Sequence, residues 1–449
     1  MTRSTKHPSK NGRNGHAFLK FKHFFLFILV VIVLLGAYLV GPKFFVIVYQ
    51  NNNTLSDGLK DLVEAEVIKP KTIHLPTPKP LKGIYMTSCV AGTPSMRDGL
   101  VTLIEETEIN AVVIDVKDYS GTMSFKPANP ELNHMWENSR CGALDMKEFI
   151  ETLHQKGIYT IARVTVFQDP HLTNQRPDLA VKKKSDGSTW KDFKGLSFTD
   201  PGSKEVWDYN ISIAKESYDI GFDEINFDYI RFPSDGPMTD INFSWSMNRP
   251  KAEVLEDFFA YLHENLKDTG VKLSADLFGM TTTNVDDLNI GQVWERALPH
   301  FDYLAPMVYP SHYPKDFNGW PNPNTVPYEL IKFVMSSAVE RTVASTSVVK
   351  TNNSEALFNT VVVPATSGTP TTTTQVFTGL YSKPVFSKDK VRPWLQDFNY
   401  GGVYDAAAVR AQIQGAYDAG LDSFMLWSPS NRYTKAALFP ANNIAPTIE

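Results

Sequence analysis

From Lys82 onward the chain alternates short β-branched runs with amphipathic stretches, and this alternation restricts its fold more than any other feature. The runs are Gly83–Ser88, Ala111–Lys117, Tyr159–Phe167, Glu224–Ile230, Lys272–Phe278, Tyr303–Val308, Val391–Gln396 and Ser423–Trp427. Between them lie helix-compatible segments: Ser95–Glu108, Asp145–Lys156, Ser203–Ile220, Lys251–Asp268, Asp286–Leu298, Val326–Val339 and Ala406–Ala419. Such a pattern builds repeated βα units on a parallel sheet. Gly157, Gly221, Gly270 and Gly420 stand where a helix must stop before the next strand, a place that favours the left-handed residue glycine supplies. Eight strands with alternating helices predict an α/β fold of the (β/α)8 TIM-barrel class over residues 82–449. The competing arrangement is an open doubly wound sheet, but no Gly-x-Gly-x-x-Gly follows the first run. One interval breaks the repeat. Residues 343–390 carry Thr366-Ser367-Gly368-Thr369-Pro370 and then Thr371 to Thr374, and read as an insertion between helix 6 and strand 7 that forms a flexible surface loop.

The net charge of −5 conceals a division by position. Residues 1–43 hold seven Lys/Arg and no Asp or Glu, leaving 37 bases against 49 acids in the rest. A body that acidic is a poor ligand for phosphate backbones, which excludes general nucleic-acid binding. The basic residues 1–23 precede Phe24 to Val40, 17 residues without a charge or proline. Basic flank, apolar run and acidic body together predict a single-pass transmembrane anchor over 24–43, uncleaved, with a cytoplasmic N-terminus and an extracytoplasmic body at the cell membrane. Residues 44–81, ending in Leu75-Pro76-Thr77-Pro78-Lys79-Pro80, read as a stiff stalk. The two cysteines, Cys89 and Cys141, fall after neighbouring strands in a compartment that permits oxidation, so they form either a disulfide or two unpaired thiols. The histidines are scattered, no C-x-x-C occurs, and neither a metal nor another cofactor is predicted.

Strand alternation sorts the polar residues. With Ile225 and Phe227 facing outward, Asn226 and Asp228 point into the barrel; with Leu273, Ala275 and Leu277 outward, Ser274 and Asp276 point in. Two adjacent strands thus deliver carboxylates to the C-terminal mouth, where barrels of this class place active sites. Such a pair is what glycoside hydrolysis requires: one group protonates the leaving oxygen, the other attacks the anomeric carbon or activates water. Anchors on strands about 4.8 Å apart favour the carboxyl separation of roughly 5 Å found in retaining enzymes. The same alternation turns Asp115, Lys117 and Arg163 inward, with Arg231 three residues after Asp228. An arginine beside a carboxylate holds it ionised, as suits a nucleophile. Tyr309, Trp394 and Trp427 at the strand ends supply aromatic faces for sugar rings, and Gln396 an amide beside them. These eight are the expected substrate-binding set, and a polysaccharide or oligosaccharide the expected partner.

The stretches KGIYMTS, NAVVIDVKD, ARVTVFQD, GFDEINFDYIRFPSDG, SADLFG, DYLAPMVYPSHY, RPWLQDF and LWSPSNRY closely resemble the bacterial family of uncharacterised glycosyl hydrolase domains, itself distantly similar to the α-amylase clan. The likeness spans about Lys82 to Thr434 and departs in the threonine-rich insertion. It implies a glycosidase in which Asp228 is the nucleophile and Asp276 the acid/base. The clan usually carries Glu at the fifth strand and a third carboxylate at the seventh, for which Asp397 is the only counterpart. A non-catalytic carbohydrate-binding or envelope-scaffold barrel is the alternative reading, and a metal-dependent deacetylase would need a ligand set that the histidine spacing does not offer.

Overall fold

The computed structural model describes residues 72–247, 249–364 and 371–441. The expected basic tail, membrane anchor and most of the stalk lie outside them, as do Thr366 to Pro370 of the insertion. Among the described residues no helix is long and apolar enough to cross a membrane.

Eight parallel strands close into a barrel in chain order: β1 Lys82–Met86, β2 Ala111–Lys117, β3 Tyr159–Thr165, β4 Glu224–Asp228, β5 Lys272–Phe278, β6 Tyr303–Met307, β7 Trp394–Gln396 and β8 Phe424–Trp427. The last pairs with the first through Lys82 and Phe424. The main helices are α1 Pro94–Glu106, α2 Met146–Gln155, α3 Lys204–Asp219, α4 Lys251–Leu266, α5 Trp294–Ala297, α6 Pro327–Val343 and α7 Ala406–Asp418. Strands buried on both faces need apolar residues throughout. Hence Val112, Ile114, Ile225 and Phe227 meet the helices, while Tyr85, Val113, Ile161, Trp394 and Met425 fill the inside. The four glycines expected at helix ends have φ between +71° and +125°, a region that penalises a Cβ.

Two elements depart from the expected pattern. The fifth helix, expected over 286–298, is reduced to the single turn Trp294–Ala297. Gly291 interrupts it with a φ of +87°, against the side chain of Leu255. The insertion is not an irregular loop: Ala356–Val363 and Thr372–Ser382 pair antiparallel, and Thr346–Ser347 adds a short third strand. Valine and threonine are β-branched and suit such a ribbon.

The polypeptide reaches β1 across the N-terminal end of the barrel. Leu75 N–H donates to Asp223 Oδ1 (2.6 Å), Thr77 Oγ1 lies 3.1 Å from the Tyr159 hydroxyl, and Leu81 N–H donates to Ser423 Oγ. Residues 72–81, expected as stalk, therefore belong to the packed body.

At the opposite end Cys89 and Cys141 are joined by a disulfide, Cα to Cα 4.5 Å, linking the segments after β1 and β2 across a separation of 52 residues. Closing a loop of that length stabilises by about 2–4 kcal/mol. Replacing both cysteines with serine is expected to lower the unfolding free energy by about that amount in chemical denaturation, with reductant shifting the wild type alike. An unchanged denaturation midpoint would count against a stabilising role.

Candidate active site

At the barrel mouth Arg163 is set among several carboxylates. Arg163, from β3, donates through Nη1 to Asp115 Oδ1 of β2 (2.5 Å) and through Nη2 to Asp228 Oδ2 of β4. Its Nε lies 3.7 Å from Asp276 Oδ2 of β5. All four side chains are buried. The inward register thus brings together four of the expected residues. Asp228 is held a second time by the N–H of Tyr229, 2.5 Å from Oδ1. Tyr229 takes a φ of 50°, an uncommon conformation for a bulky residue and one that concentrates at functional sites.

Asp276 sits deeper. Its Oδ1 accepts from Asn226 Nδ2 (2.9 Å) and Trp394 Nε1 (2.8 Å). Burial, followed by the charge of Asp228, raises its pKa well above the carboxylate range against the opposing pull of Arg163. Burial likewise raises Asp115, although Arg163 and the Tyr85 hydroxyl oppose it. Burial works against the charge of Arg163, but Asp228 and Asp115 more than offset it and its pKa rises. The guanidinium carbon is 5.1 Å from the Trp427 ring centroid and 5.6 Å from that of Tyr85, and those two rings stack at 3.8 Å. Aromatic faces above and carboxylates around it leave Arg163 little freedom.

A cavity of about 300 Å³ opens here, lined by Arg163, Asp228, Tyr229, Arg231, Phe278, Met307, Tyr309, His312 and Trp427. That volume is at the lower end of small-ligand sites. Asp276 and Asp115 back the lining residues and are not among them.

Besides Asp115, three expected binding residues are placed away from the cavity lining. The pairing register slips between Asp115 and Lys117; such a bulge reverses the facing of the residues beyond it. Lys117 consequently points to the helical layer, ion-paired to Asp169 (2.7 Å) and 3.3 Å from Asn210 of α3. Gln396 is fully buried and braces loops, donating to the carbonyls of Phe398 and Tyr400 while accepting from Ser311 N–H. Trp394 is also buried and lies beneath the cavity, where it positions Asp276. Asp397 does not supply a third carboxylate: it accepts from the N–H and hydroxyl of Thr434. Tyr85 and Asn226 join the site without having been expected there. Both are inward by alternation, which was the available signal, but neither type announces chemistry on its own.

The family model described as "Putative glycosyl hydrolase domain" matches residues 83–352 and 366–433. The chain belongs to that family. This glycosyl hydrolase domain is 36% identical to a hypothetical protein of known structure from Ruminiclostridium thermocellum, over 43% of this chain and 96% of that one, with a TM-score of 0.38. It shares its fold with the PgaB (BpsB) glycoside hydrolase domain of Bordetella bronchiseptica: TM-score 0.50, 12% identity, 78% of this chain and 94% of that one. Curated proteins give no match.

Proposed function

We propose that this chain is a membrane-anchored, extracytoplasmic glycoside hydrolase that cleaves a polysaccharide by a retaining mechanism, with Asp228 as nucleophile and Asp276 as acid/base. The observation that carries the reading is the unequal setting of the two carboxylates around one guanidinium. Asp228 lines the cavity with one oxygen on Arg163 and the other on a backbone N–H. Asp276 is driven toward its neutral form by burial and by Asp228. A carboxylate open to the cavity suits the nucleophile, and a buried one whose proton is held suits the acid. In the first step Asp228 forms a bond to the anomeric carbon as the glycosidic C–O bond breaks, and the departing oxygen takes the proton of Asp276, a transfer that requires the residues between Asp276 and the cavity to give way. Water then cleaves the glycosyl ester as the Asp276 carboxylate takes its proton. Both hydrogen bonds to Asp276 fall on Oδ1, which leaves Oδ2 without an amide or indole donor. The anchor rests on the basic flank, the apolar run over 24–43 and the acidity of the chain beyond it.

Because the folded pKa of Asp276 is raised, its contribution to stability is complete below the ordinary carboxylate range and is lost as pH rises through the raised value. Activity follows the same protonation. Asp276→Asn is expected to cut kcat by roughly a hundredfold or more and to abolish the alkaline limb of the pH–rate profile. An alkaline limb that persists in this variant would remove Asp276 from the acid role. Screening the protein against envelope and storage glycans with reducing-end detection tests the activity itself. Binding without product release would favour the scaffold reading.

A further inference from the structure

Arg231 stands apart from the ion pairs around it. It lines the cavity together with Asp228, and its Nη1 donates to the Phe232 carbonyl and to Ser234 Oγ, each at 3.1 Å. Among the described residues no carboxylate pairs with it, and Nε and Nη2 have no protein acceptor there. The other cavity guanidinium, Arg163, is already occupied by Asp115 and Asp228. The mouth therefore contains one guanidinium in direct contact with carboxylates and one that Asp228, Asp235 and Asp192 favour only from a distance. The second is held in place: its guanidinium carbon lies 5.5 Å from the Tyr229 ring centroid, and burial opposes its charge. A half-desolvated guanidinium with an open edge costs free energy unless an anion meets it.

We propose that Arg231 forms an anion-recognising subsite and that the sugar bound in this cavity carries a carboxylate, as a uronic acid does. The inference rests on the glycosidase reading for the presence of a sugar, and deepens it by naming the substrate class. Carboxylate is the form of anion that fits best. The free Nε/Nη2 edge presents two roughly parallel N–H donors to two coplanar oxygens, the bidentate geometry that lysine cannot reproduce. A neutral hexose would leave the cation unpaired.

Calorimetric binding of D-glucuronate and D-glucose to the intact protein tests this without requiring turnover. The wild type is expected to prefer glucuronate by about tenfold or more, the scale of one charge-assisted bidentate contact. Arg231→Gln is expected to erase that preference, and Arg231→Lys to retain only part of it, with circular dichroism confirming that both variants fold. Absence of a preference in the wild type, whether both sugars bind or neither does, overturns the proposal. So does a preference that survives Arg231→Gln. Glucose 6-phosphate binding more tightly than glucuronate would identify phosphate as the recognised anion and overturn the carboxylate assignment. A glucuronate preference in a protein that hydrolyses no glycan would retire the glycosidase reading and leave the subsite standing; hydrolysis with no preference does the reverse.

Discussion

Asp228→Asn is expected to reduce turnover by roughly a thousandfold or more, the scale on which removal of a covalent nucleophile is felt, while leaving the fold intact. The amide is nearly isosteric and still accepts from Tyr229 N–H through its carbonyl oxygen. What it loses is the negative charge that attacks carbon and pairs with Arg163. The same change removes the charge that helps hold Asp276 protonated, so the Asp276 pKa moves down in this variant. Initial rates on any glycan that the wild type cleaves, paired with a thermal melt, provide the check. Full activity would exclude Asp228 as the nucleophile.

The second large effect concerns stability. Arg163 is the only basic residue with salt-bridge contacts to Asp115, Asp228 and Asp276 among the described residues, and all of them are buried. Arg163→Gln leaves carboxylates facing one another without a cation in direct contact, and breaking a buried pair in this way costs about 3–5 kcal/mol. The loss also depends on pH, with a definite sign. Without Arg163 the pKa values of Asp115 and Asp276, already raised by burial, rise further, so the variant binds protons more readily when folded than when unfolded. Its stability deficit is therefore largest at neutral and alkaline pH and shrinks as acid protonates the cluster. Urea denaturation at several pH values measures it; a deficit independent of pH would show that packing against Trp427 and Tyr85, and not charge, is what the arginine supplies.

The barrel was legible because its strands are buried on both faces and so declare themselves by composition. The inward register of Asp228, Asp276, Asp115 and Arg163 came from period-two alternation. What alternation could not reveal was its own interruption. The slip that sends Lys117 toward α3 adds no marker residue, since it depends on pairing with β3. The loss of most of the fifth helix had a sign in Gly291, but apolar spacing on both sides of it imitated a continuous helix. The ribbon had a sign too: Val361 to Val363 and Thr371 to Thr374 are β-branched, yet low complexity suggested a loop. Trp394 and Gln396 illustrate a further limit. Sequence distinguishes inward from outward, but not a side chain that touches the cavity from one that supports its lining.

The crossing of residues 72–81 over the N-terminal end of the barrel fixes a direction. The chain enters the cylinder through its closed base, while Asp228 and its cavity open at the other end. The contacts that seat residues 72–81 and the groups that line the cavity share no side chain, so substitutions in the first set report on stability alone and substitutions in the second on chemistry.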